Sequence, residues 1–284
     1  MKYLNLGCGS RFHPDWTNID FNSTGAHVIA HNLTDGIPFD DASFDVVYQS
    51  HILEHFRKVQ AESFLRECCR VLRPQGVLRV VVPDLEQIAK NYIAALEKAI
   101  LGEQEGAANY EWILLEMYDQ TVRNYSGGEM AKYLDREDIP NEEFVLKRMG
   151  FEAKRLIEAG RQARKQIALV EITDHKAKRL FKHFYRFLRY PNYRRELLFR
   201  LLLGQEYDAL QVGRFRQSGE VHYWMYDRYS LTVLLKKCGL ENIVQRSATE
   251  SYIQNWSNWN LDTEEDGTLY KPDSLFMEAI KPSI

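Results

Sequence analysis

Three histidines stand where a proton could be taken from a bound hydroxyl. Two flank a carboxylate in Gln49-Ser50-His51-Ile52-Leu53-Glu54-His55, and the third lies far downstream in Glu220-Val221-His222-Tyr223-Trp224-Met225-Tyr226-Asp227. Imidazole is the side chain best matched to general base chemistry near neutral pH. The first pair follows Asp45-Val46-Val47-Tyr48, which reads as a buried strand, and open α/β sheets keep their ligands at that carboxyl end. His55, one turn into the helix expected next, is the first candidate base and His51 the second. The competing reading of His55 is a brace inside that helix. Glu54 could orient a histidine or join a metal site, but no second carboxylate cluster completes one, and no metal is expected.

The residues that would hold a partner for such a base come at the start of the chain. Tyr3-Leu4-Asn5-Leu6 runs straight into Gly7-Cys8-Gly9. An apolar strand entering Gly-x-Gly brings its backbone against a nucleotide-like ligand, because each glycine removes a Cβ and tolerates φ > 0 in the turn. A dinucleotide fingerprint would place a third glycine where Phe12 stands, so a ligand without a diphosphate is favoured. Cys8 reads as a small residue filling the turn rather than as a nucleophile. Trp16 to Phe21 reads as a second strand ending in Asp20, whose carboxylate can accept both hydroxyls of a ribose. The link between these strands contains Pro14 and leaves little room for a helix. After a third strand, His27 to Ala30, Asn32 can pair with an adenine edge while Leu33 covers its face.

The elements that position these residues form an α/β pattern at both ends of the chain. A helix carrying Ala61, Phe64, Leu65, Cys68 and Leu72 on one stripe stops at Arg73-Pro74-Gln75-Gly76. Val77 to Val82 is the clearest strand, and Asp84 with Gln87 resembles a capping box for the helix that follows. From about Leu85 to Ser218 strand signals vanish and helical patterning dominates. A helix from Ser230 to Gly239 then precedes strands at Glu241–Ala248 and Ser274–Ile280, an expected antiparallel pair at the sheet edge. The domain reading is therefore a Rossmann-like unit of residues 1–84 and 219–284 interrupted by a helical cap, 85–218, placed over the ligand end of the strongest strand.

Within the cap, Asp119, Arg123, Gly127 and Gly128 mark a polar, glycine-paired loop suited to a polyhydroxy or anionic acceptor, with a plain helix-to-helix loop as the alternative. Tyr223 and Tyr226 would wall the same pocket. Residues 176–200 hold nine basic residues and one acidic residue, interleaved with aromatics. That imbalance suits a phosphate-bearing acceptor or peripheral contact with a membrane surface. A general nucleic-acid groove is disfavoured by the acidic segments around it.

Bulk properties set the outer limits. The chain has 284 residues, is 45% hydrophobic and 27% charged, and carries a net charge of -3, ordinary for a globular protein and without global attraction to polyanions. No apolar run approaches the roughly 20 residues that span a bilayer. A strand begins at once, so no signal peptide is expected. The four cysteines lack metal spacing, and together these features suggest a reduced, cytoplasmic setting.

Taken in order, Leu4-Asn5-Leu6-Gly7-Cys8-Gly9, Asn18-Ile19-Asp20, Pro38-Phe39 with Phe44-Asp45-Val46-Val47, Ile52-Leu53-Glu54-His55-Phe56 and Val71-Leu72-Arg73-Pro74-Gln75-Gly76 resemble a class I S-adenosylmethionine-dependent methyltransferase of the small-molecule group. The resemblance implies a doubly wound seven-stranded sheet closed by a C-terminal antiparallel hairpin. It also implies a cofactor, S-adenosylmethionine. Gly7, Cys8 and Gly9 would cradle its methionine part, Asp20 its ribose, and Asn32 and Leu33 its adenine. Gln49, Ser50 and His51 would sit beside the sulfonium. Asn5 replaces the family's acidic residue before the glycines. The proline-rich motif of adenine-amino and glutamine methyltransferases is missing after Tyr48, which disfavours those acceptors. The implied reaction is methylation of a small or saccharide-like acceptor at oxygen, with a histidine as base. The rivals are a catalytically silent cofactor-binding or membrane-associated partner and, against the sign of Phe12, a nicotinamide oxidoreductase.

Overall fold

The computed structural model describes residues 1–23, 25–169 and 176–283. The short apolar runs become β1 (Tyr3–Leu6), β2 (Thr17–Asp20), β3 (Val28–Ala30), β4 (Phe44–Ser50), β5 (Leu72–Pro83), β6 (Glu241–Arg246) and β7 (Ser274–Ile280). They form one sheet in the order β3-β2-β1-β4-β5-β7-β6. The first five strands run parallel, while β7 is antiparallel to both β5 and β6. The last two strands thus pair as expected, with β7 inserted between β5 and β6. The order reverses between β1 and β4, and that switch point opens a crevice at the strands' carboxyl ends.

The helices are α1 (Lys58–Val71), α2 (Leu85–Ile100), α3 (Gln104–Val122), α4 (Gly128–Leu134), α5 (Glu142–Leu169), α6 (Lys176–Arg189), α7 (Pro191–Leu203), α8 (Glu206–Arg216) and α9 (Arg228–Lys237). On one sheet face Leu4, Leu6, Ile19, Val47, Leu78, Val80 and Val82 meet the apolar stripes of α1 and α9. The period-2 partners of these residues point to the other face. There Val46, Tyr48, Val81 and Phe276 pack against Trp16, Ala248, Ile253, Trp256 and Leu261. The β1–β2 link carries no helix, and the aromatic segment before β7 covers the face such a helix would otherwise cover. Trp16 stacks on Tyr3 at 4.9 Å and meets Trp259 edge-on at 5.7 Å.

Two local expectations differ from the structure. Arg73-Pro74-Gln75-Gly76 ends α1 yet stays within β5 as a bulge: the register with β4 shifts between Phe44 and Val46. A Cβ on Gly76 would lie 2.8 Å from the Arg73 carbonyl oxygen, so only glycine fits that close approach. Asp84 does cap α2, accepting from the Glu86 and Gln87 amides at 3.0 and 3.2 Å. The box is left half made because the Gln87 side-chain oxygen instead accepts from Arg148 at 2.6 Å.

The segment between β5 and α9 has a core of its own. Ile88, Trp112, Ile113, Tyr133, Val145, Ala153 and Ile157 of α2–α5 close around one another, whereas α7 and α8 bury no residue. Among the described residues no helix is long and apolar enough to cross a membrane. The side chains of residues 176–181 and 184, part of the basic stretch, lie outside those described.

Arg148 of α5 donates to Glu116 at 2.6 Å inside this helical core, close to Asp273 at the start of β7. Burial, then repulsion from Glu116, pushes the Asp273 carboxyl up to about 7, with Glu152 adding to the push and Arg148 and Lys271 opposing it. An acid whose folded pKa is raised keeps its full contribution below the unfolded value of about 3.9 and loses it as pH climbs to the folded value. Asp273→Asn should therefore leave stability near pH 4 almost unchanged and raise it by up to roughly 4 kcal/mol at pH 8. Denaturant melts at the two pH values check this; an equal effect at both would refute it.

Candidate active site

The turn Gly7-Cys8-Gly9 leaves β1 with φ of 62° at Gly7 and 53° at Gly9, the left-handed region that glycine tolerates. It is pinned from β2: the Cys8 amide donates to the Ile19 carbonyl at 3.1 Å, and the Gly9 amide donates to Asp20 Oδ2 at 2.8 Å. A Cβ on Gly7 would sit 1.8 Å from Ile52 Cδ1. Asn5 is buried, its amide donating to the Arg11 carbonyl and to Asn18 Oδ1. The Cys8 thiol is pushed up to about 12 by burial and by Asp20, so it is no nucleophile.

Gly7 lines two cavities. The larger, about 460 Å³, also takes in Asp20, Phe21, Asn32, Leu33, His55 and Tyr223. The smaller, about 170 Å³, is bounded by Cys8, Gly9, Arg11, Ser50, His51, Tyr270 and Lys271. An adenosyl group fits the first on this chain's own chemistry. Each Asp20 oxygen already accepts one backbone amide, from Gly9 and from Asn22, and keeps a further lone pair for a ribose hydroxyl. Asn32 spends its oxygen capping the turn Leu33–Asp35, accepting from the Thr34 amide at 3.1 Å; its amide nitrogen is left to donate to a purine ring.

The three histidines converge. His55 lies in a short 3-10 turn, Leu53–His55, and not in α1; Phe56 is extended, and α1 starts only at Lys58. The Glu54 carbonyl accepts the amides of Tyr223 and Trp224 at 2.8 and 3.3 Å, and the His222 amide donates to the Gln120 carbonyl at 2.9 Å. The returning chain is thereby held between α3 and the Glu54 turn. The His55 and His222 rings meet edge to face at 4.6 Å. His55 Nδ1 lies 3.2 Å from the Val221 carbonyl, so this nitrogen carries the proton and Nε2 keeps its lone pair. His51, in a left-handed conformation with φ of 54°, sets Nδ1 at 3.1 Å from Glu54 Oε1 and Nε2 at 2.9 Å from Ser274 Oγ. His222 Nε2 is 4.0 Å from the same Glu54 oxygen.

Burial dominates the electrostatics here. It holds His51 and His222 well below the usual imidazole range, helped by nearby cations and, for His222, by the other two imidazoles. It lowers His55 as well, against the pull of Glu54, and raises Glu54, which His55 partly offsets. All three imidazoles are neutral at physiological pH, the state a base needs.

The remaining expected residues divide. Ser50 and His51 reach the smaller cavity, and Gln49 is fully buried beside them in β4 with neither side-chain polar atom partnered. Tyr223 lines the larger cavity under the Arg57 guanidinium, and its hydroxyl donates to the Arg216 carbonyl. Tyr226 is buried. Asp119, Arg123, Gly127 and Gly128 do come together, but they line neither cavity. Asp119 caps α4 through the Glu129 amide at 2.7 Å, Arg123 donates to the Glu220 carbonyl at 2.8 Å, and the Gly127 amide donates to Glu220 Oε1 at 2.9 Å. A Cβ on Gly128 would meet the Asp119 carboxylate, so this glycine serves packing. The sequence reading missed Arg11, Tyr270 and Lys271. Arg11 lies over the Tyr270 ring at 4.2 Å and donates to the Asn260 and Thr263 carbonyls. No periodicity marks the irregular segment that supplies Tyr270 and Lys271.

A family model described as a methyltransferase domain matches residues 16–80. A probable S-adenosylmethionine-dependent methyltransferase of Mycolicibacterium smegmatis is 36% identical over 98 residues, 28% of this chain and 37% of that protein. A phthiotriol/phenolphthiotriol dimycocerosates methyltransferase of Mycobacterium tuberculosis is 33% identical over 120 residues, 34% of this chain and 41% of the relative. The matched stretches thus span about two fifths of those relatives. Among solved structures, the Haloferax volcanii complex of the Trm112 methyltransferase activator with a putative methyltransferase aligns over 99% of this chain and 82% of its own, at 11% identity and TM-score 0.38. A Burkholderia thailandensis 1,6-didemethyltoxoflavin-N1-methyltransferase with bound S-adenosylhomocysteine aligns over 29% of this chain and 44% of its own, at 19% identity and TM-score 0.25. Over residues 16–80, which include Asp20 and the Glu54 turn, this chain is therefore similar to a methyltransferase domain, and one matched relative is a probable S-adenosylmethionine-dependent methyltransferase.

Proposed function

We propose that the protein transfers the methyl group of S-adenosylmethionine to an oxygen of a small-molecule acceptor, whose proton passes to one of the histidines gathered round Glu54. The carrying observation is that Gly7 borders both the cavity of Asp20 and Asn32 and the cavity of His51. A sulfonium resting on that turn would present its methyl group beside the histidines. In the transfer the acceptor oxygen attacks the methyl carbon, the carbon–sulfur bond pair returns to sulfur as a neutral thioether, and the hydroxyl proton goes to an imidazole. Alignment supplies much of the rate, and a positioned base adds to it.

Residues 85–218 act in this reading as the acceptor-binding cap, supported by their separate core and by the chain's return from them directly onto Glu54. The exposed Arg186, Arg189, Arg194, Arg195 and Arg200 of α6 and α7 favour an acceptor that bears phosphate, such as an activated saccharide. Acceptor affinity should then fall more steeply with salt than cofactor affinity does.

Calorimetry with S-adenosylhomocysteine, followed by turnover on a panel of sugars and nucleotide sugars, tests the proposal. His55→Ala should bind S-adenosylhomocysteine within about 3-fold of the unaltered protein while turnover drops by roughly 10²–10⁴-fold, the usual contribution of a positioned base. Full turnover in His51→Ala, His55→Ala and His222→Ala alike would remove the histidine base; indifference to S-adenosylhomocysteine would remove the reaction altogether.

A further inference from the structure

Glu54 is a carboxylate buried without the partners that burial normally demands. It is fully inaccessible to solvent, and neither of its oxygens makes a hydrogen bond, since the 3.1 Å approach of His51 Nδ1 lacks the required geometry. Its surroundings share the deficit. Nδ1 of the buried His222 has no partner, nor has the hydroxyl of the buried Tyr226, a phenol raised first by burial and then by the Glu54 charge. Unsatisfied polar atoms of both kinds around one point mark a place where something polar belongs.

The donor chemistry narrows what that is. Glu54, His55 and His222 each offer one ligand atom, and these atoms lie within 4.8 Å of one another, one pair already at 4.0 Å. Ligands sharing a tetrahedral ion at bonds of about 2.1 Å sit about 3.4 Å apart, so contraction by on the order of 1 Å, within side-chain rotation, would close the set. The backbone has already assembled it: the Glu54 carbonyl holds the Tyr223 and Trp224 amides, locking the strand of chain that carries His222 against the turn that carries Glu54 and His55. The Val221 carbonyl holds His55 in the Nδ1–H tautomer, leaving Nε2 as the ligand atom, the arrangement that orients metal-bound imidazoles. The carboxylate count used on the sequence could not find this site, because two of its three donors are imidazoles and one arrives from the far end of the helical segment.

We propose that Glu54, His55 and His222 bind one divalent first-row transition-metal ion. Two imidazoles with one carboxylate suit zinc, cobalt, iron or manganese better than magnesium or calcium, which prefer all-oxygen sites. Three protein ligands leave coordination positions open, and His55 borders the larger cavity, so the ion would lie at the edge of the adenosyl site within reach of a small exogenous ligand. With the His55 and His222 lone pairs on the ion, the proton of the methyl-transfer reading would go to His51; that role rests on the reading, and ion binding does not.

Titration of the metal-stripped full chain with Co²⁺ tests the site, read by visible d–d absorption and by elemental analysis after gel filtration. The expected result is one equivalent per chain, displaced by Zn²⁺, with paramagnetically shifted N–H resonances from the coordinated histidines. Glu54→Gln and His222→Asn should each weaken Co²⁺ binding by more than about 100-fold, beyond the roughly 10–100-fold cost of losing a group that only orients a ligand, while S-adenosylhomocysteine affinity stays within about 3-fold. Failure of the unaltered chain to take up an equivalent overturns the proposal, as does uptake that survives both substitutions. The histidine resonances identify the ligands without any variant, so a misfolded variant does not shelter the idea. Cobalt bound with no affinity for S-adenosylhomocysteine would uphold the ion site and remove the methyltransferase reading.

Discussion

Arg79→Met is expected to destabilise the fold by about 3–5 kcal/mol, the usual cost of stripping one partner from a buried ion network. Arg79 sits in the middle of β5 and is completely buried. Its guanidinium donates to Asp262 Oδ2 at 2.8 Å, to Glu278 Oε1 at 2.9 Å and to the Ser247 and Glu250 carbonyls at 2.8 and 3.0 Å, with the Trp256 ring 4.5 Å away on one side. Glu278 is its cross-strand partner on β7, and Tyr48, its neighbour on β4, donates its hydroxyl to Asp262 at 2.6 Å. Methionine would match the stem in volume yet leave buried Asp262 without its ion pair and Glu278 with only Arg246, at 3.4 Å. The apparent melting temperature should drop by roughly 10 °C. Asp262→Asn combined with Arg79→Met should recover part of that loss, since one orphaned charge is gone. A shift below about 1 °C for Arg79→Met would mean that aromatic packing alone docks the segment before β7.

The same residue shows where sequence reading reaches its limit. Val77 to Val82 is legible as a strand because a short, nearly continuous and mostly β-branched apolar run between Gly76 and Pro83 has few other uses. Arg79 is the one charge within that run, but a lone charge names no partner, and Asp262 is far along the chain. Likewise Trp256 and Trp259 follow neither helical nor strand periodicity, so nothing local says that they roof the sheet beside Trp16. The strands and the turn at Gly7-Cys8-Gly9 were readable because the backbone conformation of each is set by its immediate neighbours. Glu54 and His222 meet only through tertiary hydrogen bonds to the Glu54 carbonyl, which sequence spacing does not encode. Asp119 and Gly128 were ambiguous for a related reason: a polar loop rich in glycine looks alike whether it waits for a ligand or, as Asp119 does for α4, caps its own helix.

Asp20→Ala is expected to weaken S-adenosylhomocysteine binding by about 100-fold or more. A carboxylate accepting two ribose hydroxyls makes two charge-assisted bonds, each contributing about 1.5–3 kcal/mol, and each 1.4 kcal/mol is tenfold in affinity. Asp20 also braces the cradle, because its Oδ2 receives the Gly9 amide at 2.8 Å. The substitution therefore acts twice, once on the ligand and once on the turn that meets it. Two further measurements separate these effects. The stability of the unliganded protein should fall by only about 1 kcal/mol, the usual cost of losing one hydrogen bond at a partly buried site. Asp20→Asn keeps one oxygen for the Gly9 amide but loses the charge, so it should bind about 10-fold more weakly than the unaltered protein and more tightly than Asp20→Ala. Should both variants bind S-adenosylhomocysteine as the unaltered protein does, Asp20 would be a brace for Gly9 and nothing more, and the adenosyl group would have to lie elsewhere in the crevice.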